Sequence, residues 1–420
     1  MIYILVVPHV TLVNKTGPSL IHNVDFCKQI TFTNVNNIPI TFVATSNLML
    51  MVVSRSDYLS IKENQVLGRY VTPMKVSKII KKFPKKIEVK EIGTSVQERP
   101  IHSLGLGLGP TKILMWSQMH GNESTTTKAV LDLLNFMVKQ SEVSRSIYNE
   151  CTLLIIPMLN PDGAQAYTRV NANGIDLNRD AQSRSQPESV ILRKVFDEFK
   201  PDYCFNLHDQ RTIFNVGKSN KPATVSFLAP ACDEARSIST AREISMKLIV
   251  AMNLMLQKMI PGQIGRYDDA FNSNCVGDTF QMLGIPTLLF ESGHFPGDYQ
   301  RERTREYIFY AIVTALKTIA ENMLGRFQRK DYFEIPENDK LFLDVLVQNV
   351  HVINPNLNPG DALGLLFKEA LVNNAIEFTP IVDKKGNLKQ YFGHAEYDCL
   401  RGDDLKELRQ KQYWSDLVAL

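Results

Sequence analysis

From residue 112 to residue 324 the chain alternates short apolar runs with helical patterns, and this alternation constrains the fold more than any other feature. The runs at 113–116, 152–156, 203–207, 225–228 and 287–290 are mostly apolar and four or five residues long. Strands of that kind are buried on both faces. Between them lie patterns that read as helices at 124–139, 187–199, 234–256 and 301–324. Ser124 is a plausible cap for the first, and Pro187 suits the first turn of the second. Alternating buried strands and helices predict an α/β domain on a mixed, largely parallel twisted sheet with helices on both faces. Catalytic groups are then expected just beyond the carboxyl ends of the strands.

The flanks differ from this segment. The first 54 residues carry only three charged side chains, Lys15, Asp25 and Lys28, whereas the whole chain is 22% charged. Residues 1–54 are expected to be an extension outside the catalytic fold, read from an upstream start, with Met49 or Met51 as candidate natural starts. The catalytic domain is expected over 55–330. Its early part holds seven lysines between Lys75 and Lys90, flanking Val76, Ile79, Ile80 and Phe83 at helical spacing. That reads as the solvated face of a helix. Strands at 87–92 and 101–104 follow. The glycines at 105, 107 and 109 precede a strand rather than open a helix, so they read as a hairpin turn and not as a nucleotide loop. Residues 331–420 have short apolar strands between turn clusters and are expected to form a small β-rich or α+β appendage.

A net charge of +3 on 420 residues gives no reason to expect a nucleic-acid or membrane partner. No two of the six cysteines lie within five residues of each other, which excludes a zinc-finger or redox pair. Buried reduced thiols suit a cytoplasmic compartment. The 14-residue run 40–53 is shorter than a membrane span requires, and residues 1–7 lack the basic start of a signal peptide.

Four clusters carry chemistry. His120 and Glu123 follow the strand at 113–117, and His208 ends the strand at 203–207. Two imidazoles and a carboxylate are a ligand set that zinc accepts, with a fourth position left for water. Glu291 stands at the end of a wholly apolar strand. A carboxylate there is costly unless something uses it, and a general base beside a metal would. The long loop 160–186 holds Asn160-Pro161-Asp162-Gly163 and then Gly174-Ile175-Asp176-Leu177-Asn178-Arg179. Its Arg169 and Arg179 are forks that match a carboxylate or an oxyanion.

The order His-Gly-Asn-Glu, Asn-Pro-Asp-Gly, Gly-Ile-Asp-Leu-Asn-Arg, strand-end His and Phe-Glu resembles the zinc carboxypeptidase family of the carboxypeptidase A type. The short interval from Glu123 to His208 is closer to compact bacterial members than to the digestive enzymes. The resemblance implies a carboxypeptidase-like fold and one Zn²⁺ per chain, held by His120, Glu123 and His208. It implies Glu291 as general base, Arg169 as oxyanion stabiliser, and Asn178 with Arg179 as the grip on a terminal carboxylate. Tyr267 is the implied mobile cap. Gly121-Asn122 stands where digestive members carry a substrate-contacting Arg. The specificity pocket is expected around residues 274–278, where Asp278 either favours basic side chains or, the preferred reading, is structural; His294 is expected to support the ligands or to be structural rather than a fourth ligand.

The function expected is removal of a C-terminal residue from a peptide substrate. The alternative is a zinc amidase or deacylase of small N-acyl amino acids, aspartoacylase-like, using the same residues. A third reading, an inactive peptide-binding module, is disfavoured by the presence of Glu291 and all three ligands. Neither Gly-x-Ser-x-Gly nor His-Glu-x-x-His occurs, which argues against a serine hydrolase or a zincin.

Overall fold

A computed structural model describes residues 30–33, 39–42 and 53–419. The chain divides into two compact units, the second being Leu50–Leu420. Of the first, the described residues form an antiparallel pair, β1 (Ile30–Thr33) with β2 (Pro39–Phe42). The remaining expectations for residues 1–52 lie outside the described residues.

The second unit is built on an eight-stranded sheet. Its strands are β3 (Glu88–Thr94), β4 (Pro100–Leu106), β5 (Thr111–Ser117), β6 (Cys151–Ile156), β7 (Tyr203–Asp209), β9 (Val225–Leu228), β10 (Ile264–Arg266) and β11 (Thr287–Ser292). Their spatial order is β10-β9-β11-β7-β5-β6-β4-β3. The central strands β11, β7, β5 and β6 are mutually parallel, and antiparallel pairings occur at β9–β11, β4–β6 and β3–β4. The sheet is therefore mixed with a parallel centre, as the alternation of strands and helices predicts.

Side-chain alternation explains how β5 and β7 are covered. Leu114, Trp116 and Cys204 pack with Ile191, Leu192 and Phe196 of the helix Pro187–Phe199 and with Phe280 of the helix Val276–Met282. Phe205 and Phe290, one residue out of phase with Cys204 and Leu289, meet at 5.3 Å with their rings tilted by 45° within the core. The helices Thr125–Lys139, Thr240–Leu256 and Glu302–Ala320 pack on one another and on the sheet.

Several local expectations change. The 105–109 glycines do not make a hairpin turn, because β4 and β5 are not neighbours; β6 lies between them. Gly105 is inside β4, and Gly107, at φ +102°, passes so close to β6 that a Cβ would sit 2.1 Å from the Cys151 carbonyl oxygen. Ser124 does occupy the cap position, but its hydroxyl donates to the Arg69 carbonyl (2.5 Å) instead of accepting from the helix. The loop 160–186 contains a short helix, Pro161–Ala166, and a 3-10 turn, Leu177–Arg179. The long helix after residue 234 begins only at Thr240, capped by Ser239.

The C-terminal part is a four-stranded sheet, β13 (Phe342–Gln348), β14 (Ala362–Val372), β15 (Ala375–Gly386) and β16 (Phe392–Asp398), in the order β15-β14-β13-β16. Two short helices follow it. It joins the larger sheet's loops through the two-residue pair β8 (Asn215–Val216) with β12 (Asn338–Asp339). Cys151, Cys204 and Cys399 are buried free thiols, and Cys232 and Cys275 are half-buried ones. Among the described residues no helix is long and apolar enough to cross a membrane.

Candidate metal centre and active site

Three neighbouring strand ends bring the site together. His120 lies three residues past the end of β5, His208 lies within β7 and Glu291 within β11. In the parallel pairing of β7 with β11, Glu291 is the register partner of His208, and Leu289 is the partner of Asn206. All four therefore project from one face, and all four line the same cavity of about 510 Å³. Arg169, Asn178, Arg179, Glu123, His120 and Tyr267 line it too. Every residue expected at the site is thus in one cavity.

The turn carrying His120 and Glu123 has a definite shape because two glycines meet backbone to backbone. A Cβ on Gly121 would sit 1.9 Å from the Gly163 carbonyl carbon, and a Cβ on Gly163 would sit 2.5 Å from Asn160 Nδ2. Asn160 fixes this contact by accepting the Gly163 N–H (2.8 Å) and donating to the Met119 carbonyl (3.1 Å). Asp162 holds the other side of the loop, bonded to Ser95 Oγ, the Gln97 N–H and Arg99. The His-Gly-Asn-Glu and Asn-Pro-Asp-Gly motifs are therefore two halves of one packing contact.

His120 Nδ1 is 2.9 Å from Glu123 Oε1, His208 Nδ1 is 3.0 Å from Glu123 Oε2, and the two imidazole Nδ1 atoms are 3.1 Å apart. A tetrahedral ion with bonds of about 2.0–2.1 Å separates its ligands by roughly 3.3 Å. Two ring nitrogens converging at this distance with a carboxylate suit a shared cation, and the His/His/Glu donor set fits zinc. Burial pushes the His208 pKa down, which favours the neutral imidazole that ligates. Burial would raise the Glu123 pKa, but the flanking imidazoles hold it well below the usual carboxylate range.

Asp176 is a residue that motif reading quoted without a role. Its Oδ1 meets His120 Nε2 at 2.9 Å, and its Oδ2 accepts from Arg169 Nε at 3.1 Å. A carboxylate on the far nitrogen of a ligand imidazole fixes its tautomer and orientation. The signal was its place in Gly-Ile-Asp-Leu-Asn-Arg, two residues before Asn178. Arg169 also donates to Glu123 Oε1 (3.1 Å), so its guanidinium lies at the edge of the ligand cluster.

Glu291 is 8% exposed, and its Oε2 has no hydrogen-bond partner. Burial, then the charges of Glu123 and Asp209, push its pKa well above the ordinary value. A Cβ on Gly293 would sit 1.9 Å from the Ala223 carbonyl oxygen, so glycine lets the chain leave β11 at this point. Asn178 Oδ1 accepts the Val276 N–H (3.0 Å), and Arg179 Nη1 donates to the Asn178 carbonyl and contacts Cys275 Sγ (3.1 Å). Tyr267 directly follows β10, is half-buried, and packs on Phe214 at 5.4 Å. Cys275, Gly277 and Asp278 form part of the wall, where Asp278 Oδ2 accepts the Asn272 N–H (2.8 Å). Burial pushes the Asp278 pKa up to about 6.

Residues 75–224 match the family described as zinc carboxypeptidase. Over that stretch, about a third of its length, the chain is similar to the zinc carboxypeptidases. The stretch contains the three candidate ligands, Arg169, Asn178 and Arg179, while Tyr267 and Glu291 lie beyond it. Among curated relatives, a probable carboxypeptidase 2 of Arthroderma benhamiae is 26% identical over 113 residues, covering 26% of this chain and 21% of that protein. Human carboxypeptidase D is 23% identical over 239 residues, covering 49% of this chain and 17% of that protein. The chain thus spans about a fifth of the length of these relatives. The crystal structure of a metallo-carboxypeptidase from Burkholderia cenocepacia superposes with a TM-score of 0.50 at 18% identity, covering 60% of this chain and 69% of that one. The fold is that of the zinc carboxypeptidases.

Proposed function

We propose that the chain is a zinc-dependent metallocarboxypeptidase that hydrolyses the C-terminal peptide bond of a peptide. The observation that carries this reading is the convergence of His120 Nδ1, His208 Nδ1 and Glu123 on one point, with Glu291 as the register partner of His208 in the same cavity. A zinc ion at that point would supply Lewis-acid activation of water and of the scissile carbonyl.

The chain's own residues would do the rest. Glu291 accepts a proton from the attacking water as its oxygen adds to the carbonyl carbon, and later delivers that proton to the departing amine nitrogen. Its buried position in the ligand cavity, with Oε2 free of protein hydrogen bonds, suits it to both steps. Arg169 supplies a cation where the carbonyl oxygen gains charge. Arg179 Nη2 and the Asn178 amide nitrogen, both without a hydrogen-bond partner among the described residues, receive the substrate's terminal carboxylate. Tyr267 closes over the bound residue. Asp176 holds both His120 and Arg169 in place.

The test is a pair of N-blocked dipeptides that differ only at the C-terminus, one a free acid and one an amide. Release of the terminal residue from the acid but not from the amide supports the reading. Cleavage of N-acyl amino acids alone, with N-blocked dipeptides untouched, would overturn it in favour of the amidase.

A further inference from the structure

We propose that Arg211 reads an anionic group on the acyl side of the substrate, which makes acidic peptides the preferred class. This rests on the carboxypeptidase reading above. Arg211 lines the same cavity as the ligand cluster, three residues beyond His208, and its side chain is exposed. The cavity's other two arginines are engaged: Arg169 with Glu123 and Asp176, Arg179 with the Asn178 carbonyl and Cys275. Arg211 makes no hydrogen bond or ion pair among the described residues.

An exposed arginine is usually a solvated one, but the backbone that presents this one is held on both sides. Arg301, itself 1% exposed, donates from Nη2 to the Gln210 carbonyl (2.9 Å). Gln210 Nε2 donates to the Ala223 carbonyl (2.6 Å) and Ser226 Oγ (3.0 Å). On the other side, the Thr212 carbonyl accepts from His394 Nε2 (2.8 Å), Thr212 Oγ1 bonds Asp344, and the Ile213 carbonyl accepts the Phe342 N–H (3.1 Å). His394, Asp344 and Phe342 all belong to the C-terminal sheet. That sheet therefore fixes the loop from which Arg211 enters the cavity.

The position on the substrate follows from which wall the loop occupies. Asn178 and Arg179 are tied to Val276 and Cys275, at the end assigned to the terminal carboxylate. The Arg211 loop is tied to Ala223, Ser226 and the C-terminal sheet, and shares none of those partners. A free guanidinium there faces a second anion, separate from the terminal carboxylate. The loop backbone is fixed, and a guanidinium fork presented from it can bond a carboxylate through two parallel N–H groups.

The experiment measures kcat/KM for N-blocked tripeptides with a fixed neutral C-terminal residue and Glu, Gln or Lys at each acyl-side position in turn. Wild type is expected to prefer Glu over Lys at one of those positions by about tenfold at low salt, with the preference shrinking as salt rises. Arg211→Ala should abolish the preference and Arg211→Glu should reverse it, both with unchanged zinc content. The readout is a ratio within each protein, so a general loss of activity does not imitate it. An unchanged ratio in Arg211→Glu, or no charge preference in wild type, overturns the proposal. If no tripeptide is cleaved by wild type, the carboxypeptidase reading fails. The zinc-loaded Glu291→Gln protein then decides Arg211 separately, by titration calorimetry with the Glu and Lys tripeptides. Tighter binding of the Glu peptide that disappears in the Arg211→Glu double variant supports the proposal, and equal binding overturns it.

Discussion

Glu291 and His208 are register partners across the parallel strands β11 and β7, so the general-base candidate and a metal-ligand candidate leave the sheet side by side on one face. A one-residue slip of either strand would send one of them into the core among Phe205 and Phe290. The sheet therefore sets the base against the metal position before any loop is considered.

Glu291→Gln keeps the shape and removes the proton acceptor. Turnover should fall about 10²–10⁴-fold while zinc content stays the same. Zinc analysis beside steady-state kinetics checks this. Near wild-type turnover would remove Glu291 from the mechanism.

Asp176→Asn should weaken zinc binding about 10–100-fold, because His120 loses the carboxylate that orients its ring. Competition with a chromophoric chelator measures it. An unchanged affinity would show that His120 is held by the backbone turn alone.

Gly121→Ala forces a Cβ to within 1.9 Å of the Gly163 carbonyl carbon. Backbone on both sides cannot yield as a flexible side chain could, so the turn bearing His120 and Glu123 must shift. Zinc affinity and thermal stability should fall together, and the same chelator competition with a melting curve reads both.

These residues also mark what could be read in the sequence. The strand–helix alternation and the motif spacing named the sheet type and brought His120, Glu123, His208 and Glu291 to one place, because strand ends and short motifs are local. Asp176 was quoted in its motif but not assigned, since its role is a contact with His120 across 56 positions. Arg211 was passed over because nothing local distinguishes it from a surface arginine. What sets it apart is the C-terminal sheet more than 130 residues later. The glycines at 105–109 read as a hairpin because sequence order does not reveal that β6 inserts between β4 and β5.

The acid side of the stability profile should carry a signature of Glu302. Burial opposes its ionisation, but Lys128, Lys62 and Arg305 bring its pKa from 4.5 down to about 2. A folded-state pKa below the unfolded value means stability that is present above about 4.5 and lost as pH falls toward 2. Glu302→Gln should therefore be less stable than wild type at pH 6, and the gap should narrow as pH falls through that window. Urea melts of both proteins at several pH values measure the gap. A gap independent of pH would contradict the assignment.

The N-terminal boundary is testable by truncation. Ser54 Oγ accepts the Asp57 N–H at the start of the helix Arg55–Ile61, and Tyr58 in that helix donates to Asp132, which Arg305 also grips in the core. Arg305 reaches the Glu63 and Val66 carbonyls as well. A chain starting at Val53 should fold and keep its zinc, whereas one starting at Leu67 should be markedly destabilised. Circular dichroism melts with zinc analysis check both, and failure of the longer form to fold would contradict this boundary.

The most direct measurement is a zinc titration of chelator-stripped protein, followed by release of a free amino acid from an N-blocked dipeptide. Activity should be absent without metal, rise linearly, and break at one zinc per chain, with His120→Ala and His208→Ala failing to recover at the same zinc concentration. Full activity in the stripped protein, or recovery in either histidine variant equal to wild type, would contradict the metal centre on which the account depends.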